Sequence, residues 1–202
     1  KARAFFDSGA YKTYTYYNRT IVTNTGKLFT DKITPAQFTA AMSTLIYNQL
    51  FAAWREGMAA NGLDPKADFT QEMSDKVSEI AASEVDHLNG FASDILAARG
   101  GSADAILARA GLWANRYNDV VTMAKLATAP ANAAFEWVYG DTVHCDTCAA
   151  LNGIVATAAD WEASGYHPQR PPNNKLECGG WRCKCEIIPS DKPLTKGGIP
   201  KV

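Results

Sequence analysis

All five cysteines of the chain lie in one segment, between Cys145 and Cys185, and their spacing is typical of metal ligands. Cys145 and Cys148 form a C-x2-C pair, and 29 residues separate this pair from Cys178, which is followed by Cys183 and Cys185. A C-x2-C pair on a tight turn brings two thiolates within reach of one ion, because tetrahedral zinc holds sulfur at about 2.3 Å. An odd number of clustered cysteines fits poorly with disulfides alone. The spacing therefore predicts a structural zinc site.

The second half of the pattern allows more than one ligand set. Residues two apart on an extended strand face the same side, so Cys183 and Cys185 could both face the metal. Alternatively, Gly179-Gly180 lets the chain fold back so that Cys178 joins one of them. The preferred ligands are Cys145, Cys148, Cys178 and Cys183, with Cys185 as the substitute. His144 and His167 are further candidates, although we expect each to be a surface residue or a support for a ligand. The remaining alternative is a set of buried free cysteines or a disulfide pair.

The sequence contains none of the common catalytic motifs. A catalytic zinc needs an open position with a general base beside it, and there is no H-E-x-x-H motif. The deaminase pattern is missing too, as are the G-x-S-x-G, Walker and G-x-G-x-x-G motifs. A nucleophile pair could be drawn from Cys145 and His167, but any chain with clustered cysteines offers such pairs. We therefore predict that the chain is not an enzyme.

The residues before the cysteines predict a mainly α fold with an antiparallel helical bundle. Thr34, Pro35 and Gln37 are typical of a capped helix start, and Asn61-Gly62 ends that helix. A second helix is predicted from about Thr70 to Arg99, and a third from Ser102 to about Ala127, each with an apolar stripe at helical spacing. Long helices joined by short glycine-rich turns favour antiparallel neighbours.

The whole chain is predicted to have four parts. Residues 1–33, rich in tyrosine and threonine, are predicted to form an extended arm or a hairpin. Residues 34–130 form the helical bundle, and residues 131–188 form a small irregular or β module around the zinc. Residues 189–202, with three prolines and two adjacent glycines, form a flexible tail. The chain lacks a long apolar run and a signal peptide, so we expect no membrane association and a reducing cytosol. It also lacks a starting Met, so we expect that it was processed, trimmed or renumbered.

The residues around the cysteines resemble a known family. The run from Trp137 to Gly153, with its C-x2-C-x2-L-x-G segment, is similar to the C-terminal part of tailed-phage minor head proteins, the head-morphogenesis group that includes the Mu F-like proteins. In that group a Cys-x-Cys element follows after a loop, and here Cys183-Lys-Cys185 takes its place. The chain departs from the commoner pattern, in which His-Pro-x precedes this element. Trp181-Arg182 stands there instead, and the fourth ligand is therefore open.

The resemblance implies a virion protein present in few copies. Such a protein associates with the portal or the inner capsid, and with packaged DNA, after assembly in the bacterial cytoplasm. The net charge is −1, but both ends of the sequence are basic and the middle is acidic. Basic ends suit contact with an acidic partner. The alternative is a zinc-dependent nucleic-acid-binding module whose affinity falls with salt. Its phosphate contacts would come from Arg170, Lys175, Arg182 and Lys184.

Overall fold

A computed structural model describes residues 13–181 and 183–201, and they form two compact units. The first unit ends at Tyr117 and the second begins at Asn118, inside a continuous helix and not near residue 130. Helices account for 56% of the described residues and strands for 6%, which confirms the prediction of a mainly α protein. The antiparallel arrangement of a bundle stays a prediction.

The first unit is built from helices. They are α1 (Tyr14–Phe29), α2 (Pro35–Ala60), α3 (Gln71–Asp86), α4 (Leu88–Ala97) and the first half of α5 (Asp104–Thr128). The long helix α2 contacts α1, α3 and α4, and α4 also contacts α1 and α3. Helix α2 therefore provides the central apolar surface of this unit.

The prediction of an extended arm or hairpin is wrong for helix α1. Its buried residues are spaced three or four positions apart, as on one face of a helix. They are Tyr17, Ile21, Thr25 and Leu28. β-Branched residues lower helix propensity only by a few tenths of a kcal/mol each, and burial outweighs this. The Thr25 hydroxyl donates to the carbonyl of Ile21, which satisfies a buried polar group inside the helix. The rest of the predicted arm, residues 1–12, lies outside the described residues.

The predicted start of α2 is confirmed in detail. The Thr34 hydroxyl accepts from the Gln37 N–H at 3.2 Å, and the Gln37 side chain accepts from the Thr34 N–H at 2.9 Å. The second predicted helix is instead two helices, α3 and α4, that meet at His87. The third predicted helix corresponds to α5, which runs one residue beyond the predicted end.

The second unit contains a small antiparallel sheet in the order β2-β1-β3. Its strands are β1 (Ala134–Val138), β2 (Val155–Thr157) and β3 (Glu186–Pro189), and its short helices are α6 (Asp146–Leu151) and α7 (Ala158–Ser164). The central strand β1 pairs Phe135 with Ala156 on one side and Trp137 with Ile187 on the other. Aromatic and aliphatic side chains and three cysteines share one buried cluster: Phe135, Trp137, Trp161, Leu151, Leu176, Ile187, Cys148, Cys183 and Cys185.

The segment predicted as a flexible tail makes regular contacts with the sheet. The Ser190 N–H donates to the carbonyl of Ala134 at 2.9 Å, and the Thr195 N–H donates to that of Val155 at 2.8 Å. The prediction therefore needs correction at these positions, because backbone pairing continues past β3. None of the helices in the described part of the chain has both the length and the apolarity of a membrane span.

Candidate metal centre

Helix α6 positions the first two cysteines. Cys145 is the residue that precedes the helix, and Cys148 lies one turn later on the same side. Cys148 is buried, while Cys145 is partly exposed. The C-x2-C pair thus presents two thiols to the interior of the second unit.

A glycine turn positions Cys178. Gly179 and Gly180 both have positive φ, 62° and 78°, and the Trp181 N–H donates to the carbonyl of Cys178. A Cβ at Gly180 would lie 2.8 Å from the carbonyl oxygen of Arg170, so no larger residue fits there without movement. The turn folds the chain back toward α6, as the glycine pair predicts.

Cys183 and Cys185 lie just before β3, two residues apart, and both are buried. Their side chains therefore reach the interior from the same side of an extended segment, as expected for residues i and i+2. The extended segment brings Cys183 and Cys185 together, as the first alternative predicts. The glycine turn brings Cys178 to Cys145 and Cys148 and not to one of the last two cysteines, as the second alternative had it.

The five thiols form two groups that share one member. The sulfurs of Cys145, Cys148 and Cys178 lie within 4.8 Å of one another, and so do those of Cys148, Cys183 and Cys185. Such a cluster of sulfurs could hold a metal ion. The preferred set of four contains all three members of the first group and two of the second, the shared Cys148 and Cys183.

The protons of the cluster are shared unevenly. Contacts with Cys183 and Cys185 raise the pKa of the Cys148 thiol. The pKa of the Cys185 thiol is lowered to about 3, first by its contact with Cys148 and then by contacts with Cys183 and the Gly140 N–H. Burial raises the pKa of Cys178 to about 11. A cation would replace the remaining protons, because metal binding requires thiolates and releases their protons.

Two polar contacts fix the segments that carry the cysteines. The Asp146 N–H donates to the Glu177 carboxylate at 2.8 Å, and the Glu177 N–H donates to the Thr147 hydroxyl at 3.2 Å. These reciprocal bonds connect α6 to the segment that carries Cys178. They constrain the first group of thiols before any ion binds.

Gln169 supports the second group. Its side-chain Nε2–H donates to the carbonyl of Cys185 at 3.0 Å, and its backbone N–H points to the Cys183 sulfur. Its Oε1 accepts from the Asn118 side chain of α5 at 2.9 Å. Gln169 has a φ of 60°, an uncommon conformation for this residue type. Gln169 is not among the site residues predicted from the sequence, and its place between His167-Pro168 and Pro171 is the only local signal.

The two candidate histidines lie in neither group. Nδ1 of His144 is 3.7 Å from the Cys185 sulfur, and its ring stacks on Tyr139 with the centroids 3.7 Å apart. The carbonyl of His167 accepts from the Asn173 side chain. His144 therefore borders the thiol cluster, and His167 contributes a backbone contact to the neighbouring loop.

The basic residues proposed for phosphate contact are partly engaged within the unit. Nε of Arg170 donates to both oxygens of Asp119, at 2.9 and 3.1 Å. Nζ of Lys175 donates to the carbonyl of Ser164 and lies over the Tyr166 ring. Lys184 is exposed, and Arg182 lies outside the described residues.

Comparisons with family models, with curated proteins and with solved structures give no match.

Proposed function

We propose that the chain is a structural component of a tailed-phage head, a minor head protein associated with the portal or inner capsid. In this proposal zinc stabilises its C-terminal module. The convergence of five cysteines from segments about thirty residues apart supports the zinc site. The resemblance of residues 137–185 to minor head proteins supports the place in the virion.

The surroundings of the cysteines support a structural role for the metal. All five donors are sulfur, and Cys148, Cys183 and Cys185 are each less than 10% exposed. Thiolate donors favour zinc among the common divalent ions, and structural zinc sites are closed by protein ligands. Binding would contribute about 10–16 kcal/mol at neutral pH, as in zinc-finger peptides, so the ion would hold this small unit folded.

The zinc site is tested by elemental analysis of freshly purified protein. We expect at least one zinc per chain, and we expect Cys148→Ser to lose metal together with the near-UV signal of Trp137 and Trp161. The matched control is Ala149→Ser, which adds the same hydroxyl at the exposed neighbouring position and should keep the metal. Wild-type protein with free thiols and no bound metal would reject the zinc site.

The place in the virion is tested separately. Quantitative mass spectrometry of purified particles should detect the chain at a few copies per particle, and the isolated protein should bind the portal or capsid protein. Particles that lack the chain, together with normal head assembly after its deletion, would contradict the proposal.

The DNA-binding alternative has less support from the described residues, because Arg170 and Lys175 already make contacts within the unit. A duplex-binding assay distinguishes it. DNA affinity that falls steeply between low and physiological salt would favour this alternative.

A further inference from the structure

We propose that the thiol cluster holds two metal ions, with the thiolate of Cys148 bridging them. Cys145 and Cys178 complete the sulfur ligands of the first ion, and Cys183 and Cys185 complete those of the second. The inference rests on the proposed metal site and goes beyond it, since that site requires only one ion.

The first argument for two ions comes from the distances between the sulfurs. A single tetrahedral ion with four thiolates places every pair of sulfurs about 3.8 Å apart, given metal–sulfur bonds of about 2.3 Å. Four sulfurs would then all be close to one another. Among the described residues, the cysteines instead form two groups of three, each within 4.8 Å, that share only Cys148. This is the arrangement of two ions with one common ligand.

The second argument for two ions comes from the hydrogen bonds to the sulfurs. Backbone N–H groups of Cys148 and Cys178 point to the Cys145 sulfur, and that of Gly180 points to Cys178. The Gln169 N–H points to Cys183, and the Gly140 N–H points to Cys185. Each of these four thiolates would therefore have a backbone donor that balances its charge.

Cys148 has a different environment. Its sulfur lies within 4.8 Å of the sulfurs of all four other cysteines. It is also almost fully buried, with 2% of its surface exposed. A buried thiolate among other thiolates needs positive charge beside it, and two cations supply this where one backbone donor would not. Cys148 is thus suited to bridge, and the other four cysteines are suited to bind one ion each.

The chemistry favours soft or borderline ions. Five thiolates carry a charge of −5, which two divalent ions reduce to −1. Thiolate ligands select zinc, and they also accept cadmium as a spectroscopic substitute. Each ion has three sulfur ligands and one further position, which a nearby side chain would fill in a closed, structural site. His144 lies on the side of the second ion, with Nδ1 3.7 Å from the Cys185 sulfur.

The test is the metal content of the full chain, measured by native mass spectrometry after zinc saturation and removal of loosely bound ions. We expect two zinc ions per chain. Cys145→Ser and Cys185→Ser should each retain one ion, because each removes a ligand from one group only. Ala149→Ser, the control, should retain two.

Cadmium substitution provides a second measurement that needs only wild-type protein. ¹¹³Cd NMR should give two resonances at the shifts of thiolate-rich sites, with coupling between them through the shared sulfur. One zinc per chain and one resonance would overturn the two-ion arrangement and leave the single structural site. Protein that binds no zinc or cadmium would overturn both proposals.

Discussion

Single residues in the second unit hold the thiol cluster in place from outside. Gln169 contacts both Cys183 and Cys185 and is itself held by Asn118. The Gly140 N–H donates to the Cys185 sulfur, and the backbone of Lys184 lies close to the Gly140 Cα. Groups that orient ligands in this way usually matter almost as much as the ligands.

We expect Gln169→Ala to weaken zinc binding by about 10- to 100-fold, the usual effect of removing a group that orients a ligand. The substitution removes the hydrogen bond to the carbonyl of Cys185 and leaves every thiol in place. Competition with a chromophoric chelator measures the affinity. The matched control is Gln71→Ala, at an exposed glutamine in helix α3 of the other unit. Equal affinity in the two variants would contradict a supporting role.

Gly140→Ala should destabilise the second unit by about 3 kcal/mol, at the upper end of ordinary single substitutions. The added Cβ would lie 1.9 Å from the carbonyl oxygen of Lys184, and backbone must move to relieve this contact. Gly111→Ala is the control, because a Cβ there meets nothing within 4 Å inside helix α5. That change should stabilise the protein by about 0.5–1 kcal/mol. Denaturant unfolding of the metal-loaded protein measures both, and opposite signs are expected.

At the scale of elements, the sequence predicts helices whose first and last residues are determined by neighbouring capping and turn residues. Helix α2 was predictable because Thr34, Pro35 and Gln37 define its start and Asn61-Gly62 its end. Helix α1 was missed because its tyrosines and threonines favour strands, although its buried residues have helical spacing. The convergence of the cysteines was predictable from spacing. Their division into two groups was not, because it depends on the glycine turn and on the pairing of β3 with β1.

The loop that carries Gln169 is connected to helix α5 by a buried ion pair. The Asp119 side chain is 1% exposed and the Arg170 side chain 24%. We expect Asp119→Asn to cost about 3 kcal/mol, because the change leaves a largely buried guanidinium without its counter-charge. Asp94→Asn is the matched control, since the Asp94–Arg109 pair is half exposed, and it should cost less than about 1 kcal/mol. Urea unfolding distinguishes the two, and equal effects would rule out a tether at Asp119.

At the scale of the whole molecule, the two units differ in what stabilises them. The first relies on buried apolar side chains of helices such as Trp54, Phe38 and Leu50. The second has a small sheet and a core in which cysteines replace part of the apolar side chains. Under the proposed function, its stability therefore depends on the ion that the thiols hold.

Removal of the metal should accordingly affect the units unequally. A strong chelator under reducing conditions should increase amide exchange in residues 134–189 by at least tenfold and leave residues 35–60 protected. Hydrogen–deuterium exchange with mass spectrometry measures this, and returning zinc should restore protection. Equal loss of protection in both segments, or none in either, would contradict a metal-dependent second unit.

The order of the sheet has a consequence for synthesis on the ribosome. Strand β1 is the middle strand, and both of its partners follow it in the chain, the second about fifty residues later. Translation proceeds at about 5–20 residues per second. Several seconds therefore pass between the synthesis of β1, Cys145 and Cys148 and that of Cys183, Cys185 and β3. During this interval Cys145 and Cys148 can bind an ion before Cys183 and Cys185 have been synthesised. Nascent chains stalled before Cys183 should therefore be more reactive toward thiol-alkylating reagents than completed ones.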